Sequence, residues 1–321
     1  MKLGVLTVPL YSMSLEEALA YLHGLGVQAV EIGCGGSPGK GHLDPADYLD
    51  KPEKIQELKD LLAKYDMELM ALSCHGNGVH PNPEVAAADT ADFENAVLLA
   101  EQLGVKTIVT FSGCPGDSPT SQYPNWVTCP WPDDFLKILD YQWNEVLIPW
   151  WKKEVAFARA HGVYQIALEM HPGFCVYNPE TLLKLRDAVG PEIGANFDPS
   201  HLIWQGMDPV AAIKMLKGAI YHFHAKDTRI DPQNTAKIGV LDTKHYGDIE
   251  NRAWVFRTIG YGHDEMYWKE MITTLKTVGY DGIISIEHED SMMSVKEGLE
   301  KAITLLKRVI VFEQAGAMWW A

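Results

Sequence analysis

The sequence has few basic residues and lacks the patterns that mark several other classes of protein. Its 321 residues include 43 acidic and 27 basic side chains, which gives a formal net charge of −16. Nucleic-acid-binding proteins carry basic surfaces, so this balance argues against that class. No stretch approaches the apolar length of a membrane span, and the first residues lack the basic and apolar regions of a signal peptide. We therefore expect a cytoplasmic protein with no nucleic-acid or membrane partner.

Cysteine is scarce, and no dinucleotide-binding motif is present. The five cysteines are widely spaced and form no CxxC pair, so we expect reduced thiols. No G-x-G-x-x-G follows the first predicted strand, which argues against an open dinucleotide-binding sheet. The chain is 47% hydrophobic and 22% charged, which is ordinary for a globular enzyme. Because no Pro/Gly/Ser-rich linker interrupts it, we expect one domain over residues 1–321.

A helical stretch, a turn residue and a short β-branched run recur along the chain. This pattern predicts strands at 3–8, 28–33, 68–73, 106–111, 164–170, 193–198, 219–225 and 282–288. It predicts helices at about 14–25, 53–65, 84–103, 138–161, 179–189, 208–216, 264–278 and 293–310. Eight alternating β/α units favour an α/β fold of parallel strands closed into a (β/α)₈ TIM barrel, with an open doubly wound sheet as the second choice.

Two segments are longer than normal loops. Residues 112–135 follow the fourth predicted strand, and residues 227–264 follow the seventh. Both leave the barrel at the face where strands end, which is where active sites of such barrels lie. We therefore expect both segments to frame the pocket.

Polar residues collect at the ends of four successive predicted strands. Glu169, Asp198, His224 and Glu287 come from strands five, six, seven and eight, so they should converge at one face. Three neighbouring carboxylates would raise one another's pKa unless a cation were present, so the set predicts a divalent metal site. Carboxylates with one imidazole suit Mn²⁺, Mg²⁺, Co²⁺ or Zn²⁺, and Mn²⁺ is our leading expectation.

Structural roles are the competing interpretation for some of these residues. Asp198 precedes Pro199, which is also the pattern of a helix N-cap followed by proline. His222 could fill a core position. The occurrence of such residues at four successive strand ends favours the metal interpretation.

The segments ALEMH, NFDPSH, HFHAKD and SIEHED at these strand ends resemble the sugar phosphate isomerase/epimerase family of xylose isomerase-like barrels. The resemblance runs from the first strand to the last helix. It implies that the four residues above hold the metal and that His201 and Arg229 contact substrate oxygens. The Lys226-Asp227 pair matches the H-x-K-D form of the family's inosose branch, so Lys226 is a further substrate-binding candidate.

The family's chemistry implies an enolisation mechanism. Glu169 and Glu287 would act as acid and base, and reprotonation of an enediolate gives epimerisation or isomerisation of a keto-sugar or cyclitol. Loss of a β-substituent gives a lyase instead. The lyase would be an inosose-type dehydratase, or the catalytic subunit of a C-glycoside deglycosidase that acts on a 3-keto-glycoside with a small β-rich partner. A DNA-repair endonuclease and a non-enzymatic binding barrel are the weaker alternatives.

Several other side chains are candidates for binding a small carbohydrate substrate. Polar candidates near the strand ends and in the second long segment are His75, Asn77, His80, His171 and Arg257. Trp126 belongs to an aromatic-rich stretch that could stack on a sugar or pack in the core or an interface. No glycine-rich phosphate cradle is present, so we expect an unphosphorylated sugar. The apolar Met318-Trp319-Trp320 near the end of the sequence favours a homo-oligomer.

Overall fold

The computed structural model describes residues 1–321 and contains ten β-strands, eight of which form the barrel. The barrel strands are β1 (Lys2–Leu6), β2 (Ala29–Gly33), β3 (Glu68–Ser73), β4 (Thr107–Phe111), β5 (Gln165–Glu169), β6 (Ile193–Phe197), β7 (Ile220–Ala225) and β10 (Ile283–Ile286). The remaining two, β8 (Asp227–Ile230) and β9 (Trp254–Arg257), form a separate hairpin. The order around the barrel is β1-β10-β7-β6-β5-β4-β3-β2, with parallel pairing throughout. The predicted (β/α)₈ barrel is confirmed.

Helices cover the outside of the barrel between successive strands. They are α1 (Leu15–Gly24), α2 (Pro45–Tyr48), α3 (Pro52–Lys64), α4 (Pro83–Leu103), α5 (Asp134–Asp140), α6 (Ile148–Ala160), α7 (Pro179–Val189), α8 (Pro199–Trp204), α9 (Pro209–Met215), α10 (Pro232–Ile238), α11 (Glu265–Thr277) and α12 (Val295–Val309). Residues Tyr141–Leu147 form a π-helix between α5 and α6. One cluster of buried apolar side chains runs from Met1 to Ile310 and joins the strands to the helices. No helix is long and apolar enough to cross a membrane.

Local sequence signals explain where several helices begin and end. Ser14 accepts a hydrogen bond from the Glu17 N–H, and the Glu17 side chain accepts one from the Ser14 N–H, which is the capping box that the sequence predicts. At the other end of a helix, Gly104 follows α4 with φ of +79°, a conformation that glycine adopts without a steric penalty. These signals place the barrel helices within a few residues of their predicted positions.

The second long segment is more structured than we predicted. Strands β8 and β9 pair in antiparallel register, with Thr228 opposite Phe256 and Arg229 opposite Val255, and α10 lies between them. Four-residue strands separated by more than twenty residues leave no local periodicity that would reveal the pairing. The segment is therefore a folded insertion above the barrel.

The first long segment, residues 112–135, contributes no residue to the lining of the cavity at the strand ends, where we expected it to frame the pocket. The helix predicted at 138–161 begins at Asp134 and includes the π-helix. Trp143 and Trp151 are buried in the core, and the Trp151 indole donates to the Ser112 carbonyl at 2.9 Å.

The two tryptophans near the end of the sequence are exposed. Trp319 is 88% exposed and Trp320 is 69% exposed. The homo-oligomer stays a prediction.

Gly36, which follows β2, shows how tightly the loops at the strand ends are packed. Its φ is +59°, and a Cβ at this position would collide with the backbone oxygen of His75. Gly104 has a similar φ but open space around it, which makes it a matched control. We expect Gly104→Ala to lower the free energy of unfolding by about 1–2 kcal/mol. Gly36→Ala should cost roughly 1–3 kcal/mol more, because backbone must move as well. Urea unfolding of both variants measures this, and equal losses would contradict the close-packing argument.

Candidate functional site

A cavity of about 680 Å³ opens at the carboxyl ends of the barrel strands. Its floor includes Glu169, Lys226 and Glu287, and the loops after β2 and β3 contribute further lining residues. The insertion closes one side with Val255 and Phe256. The cavity therefore lies where the strand-end residues were predicted to meet.

The structure brings the four predicted ligand residues together. One potential ligand atom from each of Glu169, Asp198, His224 and Glu287 lies within 4.8 Å of all the others. Their strands β5, β6, β7 and β10 are consecutive neighbours around the barrel, so the set spans an arc of four strands. Glu169 and Glu287 stand at the two ends of that arc.

Asp198 combines the two roles that the sequence left open. Its Oδ1 atom accepts a hydrogen bond of 2.8 Å from the Ser200 N–H and so caps α8. Its Oδ2 atom is buried without a hydrogen-bond partner, although Lys226 Nζ lies 3.0 Å away. Burial raises the pKa of Asp198 to about 6, against the opposing charge of Lys226. The cap thus fixes the carboxylate and leaves one oxygen directed at the cluster.

Glu169 is surrounded by imidazoles. Its oxygens lie 3.3 Å from His75 Nε2, 3.2 Å from His201 Nε2 and 3.2 Å from His224 Nδ1. Burial raises the pKa of this carboxyl, but the contacts with His201, His224 and His75 outweigh burial and hold it well below its ordinary value. Glu169 is therefore ionised and able to accept a proton.

Lys226 and Glu287 form a buried ion pair beside the cluster. Lys226 Nζ lies 2.8 Å from Glu287 Oε2 and 3.4 Å from Glu289 Oε2. Burial alone would lower the pKa of Lys226, but the charges of Asp198 and Glu287 keep it well above its ordinary value. Burial also opposes ionisation of Glu287, yet Lys226 and His224 lower the pKa of this carboxyl to about 2. Both groups are charged at neutral pH.

The four-residue set fits a single divalent metal ion. Bonds from Zn²⁺ to protein oxygen and nitrogen are about 2.0–2.2 Å long, so two ligand atoms on one such ion lie at most about 4.4 Å apart. The four ligand atoms all lie within 4.8 Å of one another, which is near that separation. Asp198 Oδ2 is held in the cluster by charged contacts, with Lys226 Nζ 3.0 Å away, and accepts no hydrogen bond of good geometry, so it is free to bind an ion. Three carboxylates and one imidazole are donors that suit Mg²⁺, Mn²⁺ or Zn²⁺.

Above the floor, the cavity has an aromatic wall and an acidic rim. The rings of Phe111 and Phe174 stack with centroids 4.2 Å apart, and Phe256 stacks on Tyr246 at 5.7 Å. The rim carries the further carboxylates Glu289 and Asp290, and Lys226 is the one Lys or Arg side chain lining the cavity. A cavity of this charge favours a neutral ligand over a phosphorylated one.

Two other predicted substrate contacts, His171 and His201, lie side by side, with His201 buried behind the cavity and lining a neighbouring pocket. Their ring centroids are 4.1 Å apart, and His171 lines the cavity wall. Burial and the neighbouring charge of His201 lower the pKa of His171 to about 4. His171 is therefore neutral near pH 7, and its ring can donate or accept a hydrogen bond.

Three predicted substrate contacts are placed elsewhere. Arg229 is exposed on β8 and does not line the cavity. Arg257 is buried, but its Nε lies 3.2 Å from Asp290 Oδ2, so it holds the insertion to the barrel. Trp126 lines a neighbouring pocket of about 340 Å³ and not the main cavity.

Two polar residues after β3 also have structural roles. The Asn77 side chain donates to the Cys114 carbonyl at 2.9 Å and accepts from the Cys114 N–H at 3.0 Å. His80 Nδ1 accepts from the Asn82 N–H at 2.9 Å. Both residues shape loops at the rim.

Sequence reasoning missed Glu31 as part of this region. It lies within β2 and is completely buried beneath the four-residue set, in contact with both His222 and His224. A charged residue within the otherwise apolar strand AVEIG is the signal that could have identified it, since such residues are rarely buried without a partner. His222, considered above as a core residue, is its partner.

The fold agrees with comparisons to known proteins. A family model described as a xylose isomerase-like TIM barrel matches residues 19–309. The chain belongs to this family.

Its relatives include proteins with and without a described reaction. The chain is 41% identical over 312 residues to the uncharacterized protein YfiH of Bacillus subtilis (strain 168), covering 97% of this chain and 99% of that one. It is 24% identical over 308 residues to the inosose dehydratase of Mesomycoplasma hyopneumoniae (strain J), covering 93% and 89%.

Solved structures share the barrel at lower identity. The IolI protein, solved with a binding zinc atom, superposes with a TM-score of 0.63 at 19% identity and covers 96% of each chain. A D-tagatose 3-epimerase-like protein gives 0.63 at 24% identity and covers 96% of this chain and 98% of that one. These two likenesses establish the fold.

Proposed function

We propose that the protein is a divalent-metal-dependent isomerase or epimerase of a neutral keto-sugar or cyclitol that acts by enolisation. The observation that carries the proposal is the convergence of Glu169, Asp198, His224 and Glu287 on the cavity floor. The structurally similar IolI protein was solved with a binding zinc atom, which supports a divalent metal in this proposal. Mn²⁺ remains our leading expectation for the ion.

Glu169 and Glu287 are the proton-transferring residues in this proposal. They come from the two ends of the four-strand arc, so they reach a substrate lying between them from different sides. Both carboxyls are ionised, since their pKa values are depressed. A bound divalent metal supplies Lewis-acid polarisation of the substrate carbonyl, which acidifies the neighbouring C–H. One glutamate removes that proton, and the other protonates the opposite face or the adjacent carbon.

Other side chains orient the substrate and exclude a phosphorylated substrate. His75 and His171 line the cavity and offer ring nitrogens for hydroxyl groups. The acidic rim repels phosphate, and Arg257 is engaged by Asp290. Phe111 and Phe174 provide an apolar face on which a sugar ring can stack.

A lyase is the second candidate, and Lys226 favours it. Its ammonium group keeps a proton at Nζ inside the cavity, where a β-hydroxyl of an enolised substrate would need one to leave as water. The inosose dehydratase of Mesomycoplasma hyopneumoniae is a relative with that type of reaction in its name. The 3-keto-glycoside lyase with a β-rich partner is the related alternative.

Deuterium incorporation from heavy water distinguishes these functions. The protein, with added Mn²⁺, is incubated with keto-sugars, inososes and 3-keto-glycosides, and products are followed by NMR. We expect deuterium at the carbon next to the carbonyl together with an epimer or isomer. Exchange followed by a β-eliminated product would show the lyase. No exchange across the panel with Mn²⁺, Mg²⁺, Co²⁺ or Zn²⁺ would contradict both enzymes and favour a binding protein.

A further inference from the structure

Glu31 is a buried carboxylate that the proposed mechanism does not use. It is 0% exposed and lies in the middle of β2, between Val30 and Ile32. An ionised carboxylate in such a place is strongly unfavourable unless several donors surround it. The contacts of Glu31 must therefore account for the burial of its charge.

Donors from three other strands reach this carboxylate. His222 Nε2 lies 2.7 Å from Oε2, Ser285 Oγ donates to Oε2 at 2.8 Å, and Ser73 Oγ donates to Oε1. His224 Nε2 lies 3.0 Å from both oxygens. Glu31 thus connects β2 to β3, β7 and β10 on the side of His224 opposite the cavity.

The two ring nitrogens of His224 face different partners. Nε2 faces Glu31, while Nδ1 lies 3.0 Å from Glu287 Oε2 and 3.2 Å from Glu169 Oε2. A carboxylate accepts hydrogen bonds only, so Glu31 favours the proton on Nε2. The lone pair of a neutral ring then lies on Nδ1 and points toward the cluster of carboxylates. Glu169 and Glu287 would themselves hold a proton on Nδ1, so a metal ion bound among these carboxylates would take the place of that proton.

We infer that Glu31 is a positioning residue that fixes the tautomer and the ring orientation of His224, so that Nδ1 is presented to the metal. The inference rests on the metal site of the proposed function. Carboxylates that hold the second nitrogen of a ligating histidine orient the ring and increase its basicity. Ser73, Ser285 and His222 in turn hold the carboxylate of Glu31 in place.

The test compares metal affinities of the full-length wild type and two variants. Glu31→Gln keeps the size of the side chain but replaces one acceptor oxygen with a donor. Glu154→Gln is the matched control, because it makes the same change at a fully buried glutamate on α6 that does not line the cavity. Titration calorimetry with Mn²⁺ and with Zn²⁺ gives the dissociation constants, and far-UV circular dichroism checks folding.

We expect Glu31→Gln to weaken metal binding roughly 10- to 100-fold, as removal of such partners does elsewhere, while Glu154→Gln keeps the wild-type affinity. An unchanged affinity in Glu31→Gln, with tight binding by the wild type, would overturn this inference and leave the proposed function standing. Absence of binding by the wild type would overturn the proposed function itself and this inference with it.

A second measurement does not depend on any variant folding. In the Zn²⁺-loaded wild type, ¹⁵N NMR of the histidine rings should show His224 with its proton on Nε2. A proton on Nδ1 would overturn the inference.

Discussion

Glu169→Gln is expected to slow the catalysed deuterium exchange by roughly 10²- to 10⁴-fold, the usual contribution of a general acid or base. The amide cannot accept a proton from carbon, whereas the ionised carboxylate of Glu169 can. Glu287→Gln should have a loss of the same order, because the two residues share the proton transfers. The measurement is NMR of the substrate that the wild type exchanges most rapidly.

Two controls make this result interpretable. Glu169 also belongs to the proposed ligand set, so metal content is measured in each variant and activity is compared at saturating metal. Glu84→Gln removes an exposed carboxylate on α4, outside the cavity, and should retain wild-type exchange. Full exchange in either Glu169→Gln or Glu287→Gln would contradict that residue's assigned role.

Asp227→Ala is expected to lower the free energy of unfolding by about 3–5 kcal/mol, as loss of one partner from a buried charged network does. The fully buried Oδ2 atom of Asp227 accepts from the backbone N–H groups of Gly260, Gly262 and His263 at 3.0, 3.1 and 2.9 Å. Its Oδ1 atom accepts from the Thr228 N–H at 2.9 Å. Alanine would leave these donors unpaired next to the insertion.

Asp231→Ala is the matched control for this prediction. Asp231 is an aspartate of the same insertion and caps α10 by accepting from the Gln233 and Asn234 N–H groups. Its removal should cost about 1 kcal/mol, as is usual for an N-cap. Urea unfolding followed by circular dichroism gives both values, and equal losses would show that Asp227 acts as an ordinary cap.

The barrel and the four-residue set could be predicted because their signals are local or topological. Each strand has its own β-branched run, and each helix has its own caps, so the eight units are readable one at a time. Once the strands are parallel, their carboxyl ends meet at one face. Glu169 and Asp198 therefore had to be neighbours, whatever the detailed packing.

What could not be predicted depends on pairing between distant segments and on the direction of single side chains. The place of Arg229 depends on the pairing of β8 with β9, two strands separated by more than twenty residues. Arg257 donates a hydrogen bond to Asp290, which is 33 residues away, and no local pattern in the sequence predicts this contact. Glu31 and His222 are 191 residues apart, and neither has a local signal for the other.

The insertion also bears on how members of this family diverge in sequence. Strands β8 and β9 pair only with each other and add no hydrogen bond to the barrel sheet. Asp227 ties the two ends of the segment to each other, and the segment is attached to the rest of the protein by the stacking of Trp254 on Trp204 of α8 and by the contact of Arg257 with Asp290. Between those anchors its length and side chains can drift during evolution while the eight strands stay unchanged. Mutations in the insertion can therefore change the shape of the cavity wall without destabilising the barrel that holds the reacting groups.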